Sequence, residues 1–71
     1  MDNTFPVRLR ELREQRGISR KTLSELCGLT HDAVRRYERR QAVPTMPVLV
    51  SLAEYFGVSI DYLVGRTDEK K

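Results

Sequence analysis

One local pattern recurs in this sequence and leaves little freedom in what the chain can fold into. Ser19, Thr30 and Ser59 each follow an apolar residue, and each has another apolar residue four positions on: Ile18 with Leu23, Leu29 with Val34, Val58 with Leu63. A Ser or Thr hydroxyl at a helix N-cap accepts a hydrogen bond from a backbone N–H that the helix leaves unpaired. The flanking apolar pair forms a hydrophobic staple, which sets the angle at which the chain enters the helix. Each occurrence therefore marks a helix start. Thr45 ahead of Met46 and Pro47 marks a fourth, since proline early in a helix has no N–H to lose.

The stops agree with the starts. Gly17 follows a charged helix that begins near Phe5 and turns Leu9 and Leu12 inward, while Gly28, Gly57 and Gly65 close later helices. Pro44 keeps the third helix from running into the fourth. The spacing predicts helices over about 5–16, 20–27, 31–40, 46–56 and 60–64, and no alternating strand pattern competes with them. The expected fold is all-α: a compact five-helix bundle forming one domain over residues 1–65, followed by a frayed, flexible charged tail at 66–71.

Several function classes are excluded at this point. A chain of 71 residues holds one modest core. Cys27 is the only cysteine and His31 the only histidine, so neither an intrachain disulfide nor a four-ligand zinc site can form. Cys27 is read as a small buried apolar residue, and no cofactor is expected. No paired carboxylates, nucleophile–base set or glycine-rich phosphate loop is present, which argues against an enzyme. Met1 to Pro6 lacks the basic-then-apolar pattern of a signal peptide. The most apolar run, Met46 to Ala53, is far short of a membrane span. A lone unpaired cysteine suits a reducing cytoplasm.

Charge is unevenly distributed. From Arg8 to Gln41 ten basic residues face five acidic ones, a net +5, whereas Ala42 to Lys71 carries a net −1. The first half is polarised toward a polyanion. Its charge is nearly all arginine, whose planar fork suits phosphates and guanines.

Within that half, two helices meet through Cys27-Gly28-Leu29-Thr30. A short glycine-containing turn between two helices is the arrangement of a DNA-binding helix-turn-helix. Gly28 suits a left-handed turn position, where a side chain would cost about 1 kcal/mol. Ser24 is small where the helices must cross closely, and Leu23, Val34 and Tyr37 are placed to fill the space between them. At about 100° per residue, the helix after Thr30 buries Ala33, Val34 and Tyr37. Its opposite face carries His31, Asp32, Arg35, Arg36 and Arg39, either as a solvated charged surface or, given the turn before it, as a surface for DNA.

The ordered set Leu9-Arg10-Glu11-Leu12-Arg13-Glu14, Gly17-Ile18-Ser19, Leu23-Ser24, Gly28-Leu29-Thr30, Tyr37-Glu38, Pro44-Thr45 and Leu52 to Leu63 resembles the phage repressor and Cro-type (xenobiotic-response-element) helix-turn-helix family. The resemblance runs over residues 8–65. It implies a lambda-repressor-like bundle and a sequence-specific, double-stranded-DNA-binding transcriptional regulator, a repressor, with helix 31–40 in the major groove. His31, Asp32, Arg35 and Arg36 would face bases. Either arginine could hold guanine O6 and N7, and Asp32 either accepts from a cytosine amino group or pairs with Arg36 along the helix. Arg20, Lys21, Thr30, Arg39, Arg40 and Gln41 would grip phosphates. Arg13 and Glu38 would form a partly buried ion pair tying the first helix to the third.

Two positions depart from the family pattern. Arg20 stands where the family usually has a glutamine that buttresses the third helix, and Arg40 where it usually has a glycine. Both changes add a cation beside the expected DNA backbone.

Because one recognition helix covers few base pairs, binding to paired half-sites as a homodimer is expected. The dimer surface is expected around Tyr62, Leu63 and Val64, the alternative being that these apolar residues close the monomer core. The expected location is the cytoplasm of a bacterium or phage-infected cell, on the nucleoid, with no membrane association. The rival reading is an antitoxin-like protein-interaction module whose DNA binding is autoregulatory; a third is the N-terminal part of a larger repressor. RNA binding is disfavoured because the aromatic stacking platform for single strands is missing.

Overall fold

The computed structural model describes residues 4–71, so Met1 to Asn3, the first residues of the expected domain and of the stretch read for a signal peptide, lie outside it. Five helices follow in order: α1 Thr4–Arg16, α2 Arg20–Leu26, α3 Ala33–Glu38, α4 Met46–Phe56 and α5 Ile60–Leu63. No strand occurs among the described residues.

Two of the three caps act as written in the sequence. Ser19 Oγ accepts from the Thr22 N–H, and Ser59 Oγ from the Tyr62 N–H, both at 3.0 Å. Ile18 and Val58 pack half-buried against the core that holds Leu23 and Leu63. Thr45 takes the extended N-cap conformation with Pro47 in the first turn, but its hydroxyl makes no cap bond.

Thr30 is different. The Ala33 N–H bonds to the Thr30 carbonyl at 3.0 Å, closing a turn over His31 and Asp32, and α3 begins two residues later than expected, with Asp32 in the N-cap position. The Asp32 carboxylate makes no cap bond. The cap comes from another helix: Ser24 Oγ on α2 accepts from the Val34 N–H at 3.1 Å and donates to the Arg20 carbonyl at 2.9 Å. Ser24 is fully buried, and this is the closest polar link between α2 and α3.

Every helix ends in the same backbone closure, with two N–H groups folding back on the last turn. At α2 the Gly28 N–H reaches the Glu25 carbonyl and the Leu29 N–H the Ser24 carbonyl. At α3 the Arg40 N–H reaches Tyr37 and the Gln41 N–H reaches Arg36. This closure needs a left-handed residue after the helix. Gly28 supplies it with φ 72°, and Arg40 is the one non-glycine that does so, at φ 61°. The expected 31–40 helix is thus shorter at both ends.

The core draws on all five helices: Leu9, Leu12, Leu23, Val34, Tyr37, Leu52, Ala53, Phe56, Tyr62 and Leu63 are buried. Tyr62 and Leu63 are therefore unavailable as the expected dimer surface, because α5 is so short that its apolar residues close the monomer's own core. Cys27 is half-buried rather than fully enclosed, and burial pushes its thiol pKa up. The stretch expected as a frayed tail turns back on α1. Arg8 donates to the carbonyls of Tyr62 and Thr67 at 3.0 Å and to Asp68 at 2.7 Å, with its guanidinium 4.0 Å above the Tyr62 ring. The Ser59 N–H reaches the Lys70 carbonyl at 2.7 Å.

Replacing Ser24 by alanine leaves the buried Val34 N–H without an acceptor, which costs about 1–3 kcal/mol. Urea unfolding of Ser24→Ala should show that loss at unchanged m-value; a stability equal to the parent's would mean the hydroxyl bridge contributes nothing.

Candidate nucleic-acid interface

Three supports hold α3 in place. Ser24 clamps its start and Val34 and Tyr37 anchor its inner face. At its end Glu38 receives a two-pronged bond from Arg13 on α1, Nε to Oε2 at 2.7 Å and Nη2 to Oε1 at 3.2 Å. Only 13% of the Arg13 side chain and 5% of the Glu38 side chain remain exposed. Arg13 also donates to the Ile18 carbonyl at 2.9 Å, so one guanidinium ties α1, the α1–α2 turn and α3 together.

The outer face of α3 is left free. Thr30, His31, Arg36, Arg39, Arg40 and Gln41 are exposed, as are Arg20 and Lys21 at the start of α2. Asp32 and Arg35 are half-exposed and joined: Arg35 Nε donates to Asp32 Oδ1 at 2.7 Å and Nη2 to Oδ2 at 2.6 Å. The sequence had offered Arg36 as the partner of Asp32; the geometry of a helix start puts position 35 nearer. Hydrogen bonding to Arg35, aided by its charge, holds the Asp32 carboxyl below the usual range, so it is ionised at neutral pH.

Two clefts flank the helix. One of about 330 Å³ gathers Arg20, Lys21, His31, Asp32 and Arg35 beside Ser19. The other, about 360 Å³, lies between α1, α2 and the end of α3 and is lined by Arg10, Arg13, Ser19, Arg20, Glu38 and Arg39. Arg10 was not singled out from sequence; its i,i+4 pairing with Glu14 at 3.1 Å makes it read as an ordinary surface charge. Arg40 sits apart, on an apolar groove of about 280 Å³ with Phe5, Pro6, Ala42, Val43 and Pro44. Thr30, Arg36 and Gln41 line none of these three clefts. Not every cation of the basic half is free: Arg8 is held by the C-terminal segment, and Arg16 by the Phe56 carbonyl and the rings of Tyr55 and Phe56.

Among the described residues no group of three His, Cys, Asp or Glu side chains could hold a metal, and no helix is long and apolar enough to cross a membrane. A buried helix-turn-helix clamp that presents an exposed basic face defines a class of helical nucleic-acid-binding domain.

Comparison with known proteins agrees. The Helix-turn-helix family (HTH_3) matches residues 9–63, and the chain belongs to that family. It is 38% identical over 53 residues to the HTH-type transcriptional regulator PuuR of Escherichia coli, covering 75% of this chain and 29% of that protein. It is 36% identical over 62 residues to the uncharacterised HTH-type transcriptional regulator YobD of Bacillus subtilis, covering 87% of this chain and 55% of that one. The chain thus spans only part of the length of these relatives. Its fold is that of the phage P22 c2 repressor, solved in complex with a synthetic operator: TM-score 0.79 and 27% identity, over 84% of this chain and 91% of that one.

Two substitutions separate support from contact. Glu38→Ala strands the Arg13 guanidinium, which costs about 3–5 kcal/mol for a fully buried pair and somewhat less here. Its melting temperature should fall well below the parent's, and an unchanged melt would show the pair to be dispensable. Arg40→Gly removes a left-handed strain of about 1 kcal/mol and should raise the melting temperature by several degrees while weakening DNA binding; a lower melt would contradict the strain.

Proposed function

We propose that this chain is a sequence-specific, double-stranded-DNA-binding transcriptional repressor acting in the bacterial or phage-infected cytoplasm, with α3 set into the major groove. The observation that carries this reading is the clamped α3, with exposed His31 in the turn before it, exposed Arg36 on it, and Arg35 held half-exposed by Asp32. Arg20 and Lys21 share a cleft with His31 and Arg35, Arg20 and Arg39 line a second, and exposed Arg40 and Gln41 follow the end of α3. On this reading the flanking groups grip phosphates and fix register, and the α3 side chains read base edges. Arg10 joins the phosphate group through the cleft it shares with Arg20 and Arg39.

Binding is to paired half-sites as a homodimer. With Tyr62 and Leu63 buried, the contact between copies falls on the α3–α4 loop and the start of α4, where Val43 is 88% exposed and Met46 and Val50 are also open. This patch directly follows Arg40 and Gln41 in the chain. The molecule measures 28 × 23 × 22 Å, compatible with two copies on half-sites about 34 Å apart. The operator-bound P22 c2 repressor, so similar in fold, supports the repressor assignment.

Fluorescence anisotropy on the duplex upstream of the chain's own gene tests the reading, with a scrambled duplex alongside at two salt concentrations. Binding about a thousandfold tighter to the native duplex is expected, with an affinity that falls steeply as salt rises. Equal, weak binding to both duplexes would contradict sequence-specific regulation at that site.

A further inference from the structure

We infer that Asp32 reads no base itself and instead acts as a positioning residue that holds Arg35 ready to recognise guanine. The inference rests on the DNA-reading function proposed above and assigns specificity within it.

Only some of the protons of Arg35 are engaged. Its fork with Asp32 is side-on, using Nε–H and one proton of Nη2, at 2.7 and 2.6 Å. The end-on edge of the guanidinium, with one outward proton on each Nη, takes no part in that fork. Two parallel N–H donors at that edge are what guanine O6 and N7 accept in the major groove. Both oxygens of Asp32 are meanwhile turned to Arg35, so the acid is poorly placed to accept from a cytosine amino group.

The location fits the task. Asp32 sits at the N-cap position with a helical rather than extended backbone and does not cap, which leaves both its oxygens for Arg35. The pair lines the cleft beside Arg20 and Lys21, and the Arg35 side chain keeps 39% of its surface open, so the free edge can reach a ligand. A free arginine loses considerable rotamer freedom when it docks on one base. An arginine already held by a neighbouring carboxylate loses less, and an off-register approach to the wrong base leaves its donors unpaired. Arg36, one residue on, is exposed and has no ion-pair partner among the described residues. The two adjacent arginines thus differ in kind: one is preset and the other free to adapt.

Charge and positioning predict opposite signs for one substitution. Asp32→Asn removes a negative charge from the DNA-facing side, so binding to random duplex should tighten. If Asp32 positions Arg35, the same change should weaken discrimination for guanine.

The experiment is selection from a randomised duplex pool, followed by affinity measurement on single-base variants of the recovered site. It uses the full chain as parent, Asp32→Asn, Asp32→Glu and Arg35→Gln. The parent is expected to favour one guanine per half-site by about 5- to 150-fold over other bases. Asp32→Asn should reduce that preference to about threefold or less, at the position that Arg35→Gln also loses, while preferences elsewhere in the half-site stay. Asp32→Glu, which keeps the carboxylate, should retain a preference between the two. Helical circular dichroism of each variant controls for folding, and Asp32→Glu guards against a fold-specific failure of the asparagine.

Undiminished guanine preference in Asp32→Asn overturns the inference and leaves the DNA-reading function standing. So does a loss at a cytosine that Arg35→Gln leaves untouched, because Asp32 would then be the reader. If the parent enriches no sequence at all, the proposed function fails and the inference with it.

Discussion

The hydroxyl of Ser24 is the contact on which the geometry of α3 depends. A helix of only six residues, Ala33–Glu38, gains little from its own backbone ladder. Its N-terminal N–H groups also need acceptors from outside. Ser24 answers both needs, because its oxygen receives the Val34 N–H while its own proton returns to the Arg20 carbonyl of α2. The short helix is thereby joined to a neighbour that carries a proper cap of its own at Ser19. Any larger side chain at position 24 would push the two axes apart, and any apolar one of the same size would leave a buried donor bare.

With the start of α3 held in this way, the Arg13–Glu38 pair holds its end. Between them the helix offers its outer face with little latitude for tilt. That is what a reader of base edges requires, since a displacement of an ångström or so misaligns a two-pronged hydrogen bond. Rigid inner contacts and free outer cations are two aspects of one arrangement here: the charged groups that are buried, Arg13 and Glu38, satisfy each other, and those that are open, such as Arg36 and Arg39, remain available.

Much of the architecture was legible in the residues themselves. Helix order, the two serine caps, the glycine closures and the inward set Leu9, Leu12, Leu23, Val34 and Tyr37 follow from local chemistry, which sequence spacing records directly. What escaped was tertiary. Thr30 carries the same cap signature as Ser19 and Ser59, yet its helix starts later because a residue on α2 supplies the acceptor. The apolar text of α5 reads equally well as a surface or as a core, and only the packing of a short bundle turns Tyr62 and Leu63 inward. Among the candidate contacts, the sequence identified the basic face but not which arginines are already held. Arg8, Arg16 and Arg35 look alike in a string of letters and differ in the structure by what they touch.

Arg8 has a consequence for how the chain comes together. The helix-turn-helix is built from contacts between near neighbours in sequence, Ser24 to Val34 being ten residues apart, whereas the bonds of Arg8 join residues 54 to 60 positions apart. Loop-closure entropy grows only slowly with length, about 0.6 kcal/mol for each doubling. The long closure is therefore affordable, but local contacts are the faster to form. The order of assembly that this implies places the α2–α3 clamp early and the return of the C-terminal segment onto α1 late. The part of the molecule proposed to face DNA is then the part that matures first, and the last step is a latch on α1, fastened after the exposed basic face already exists.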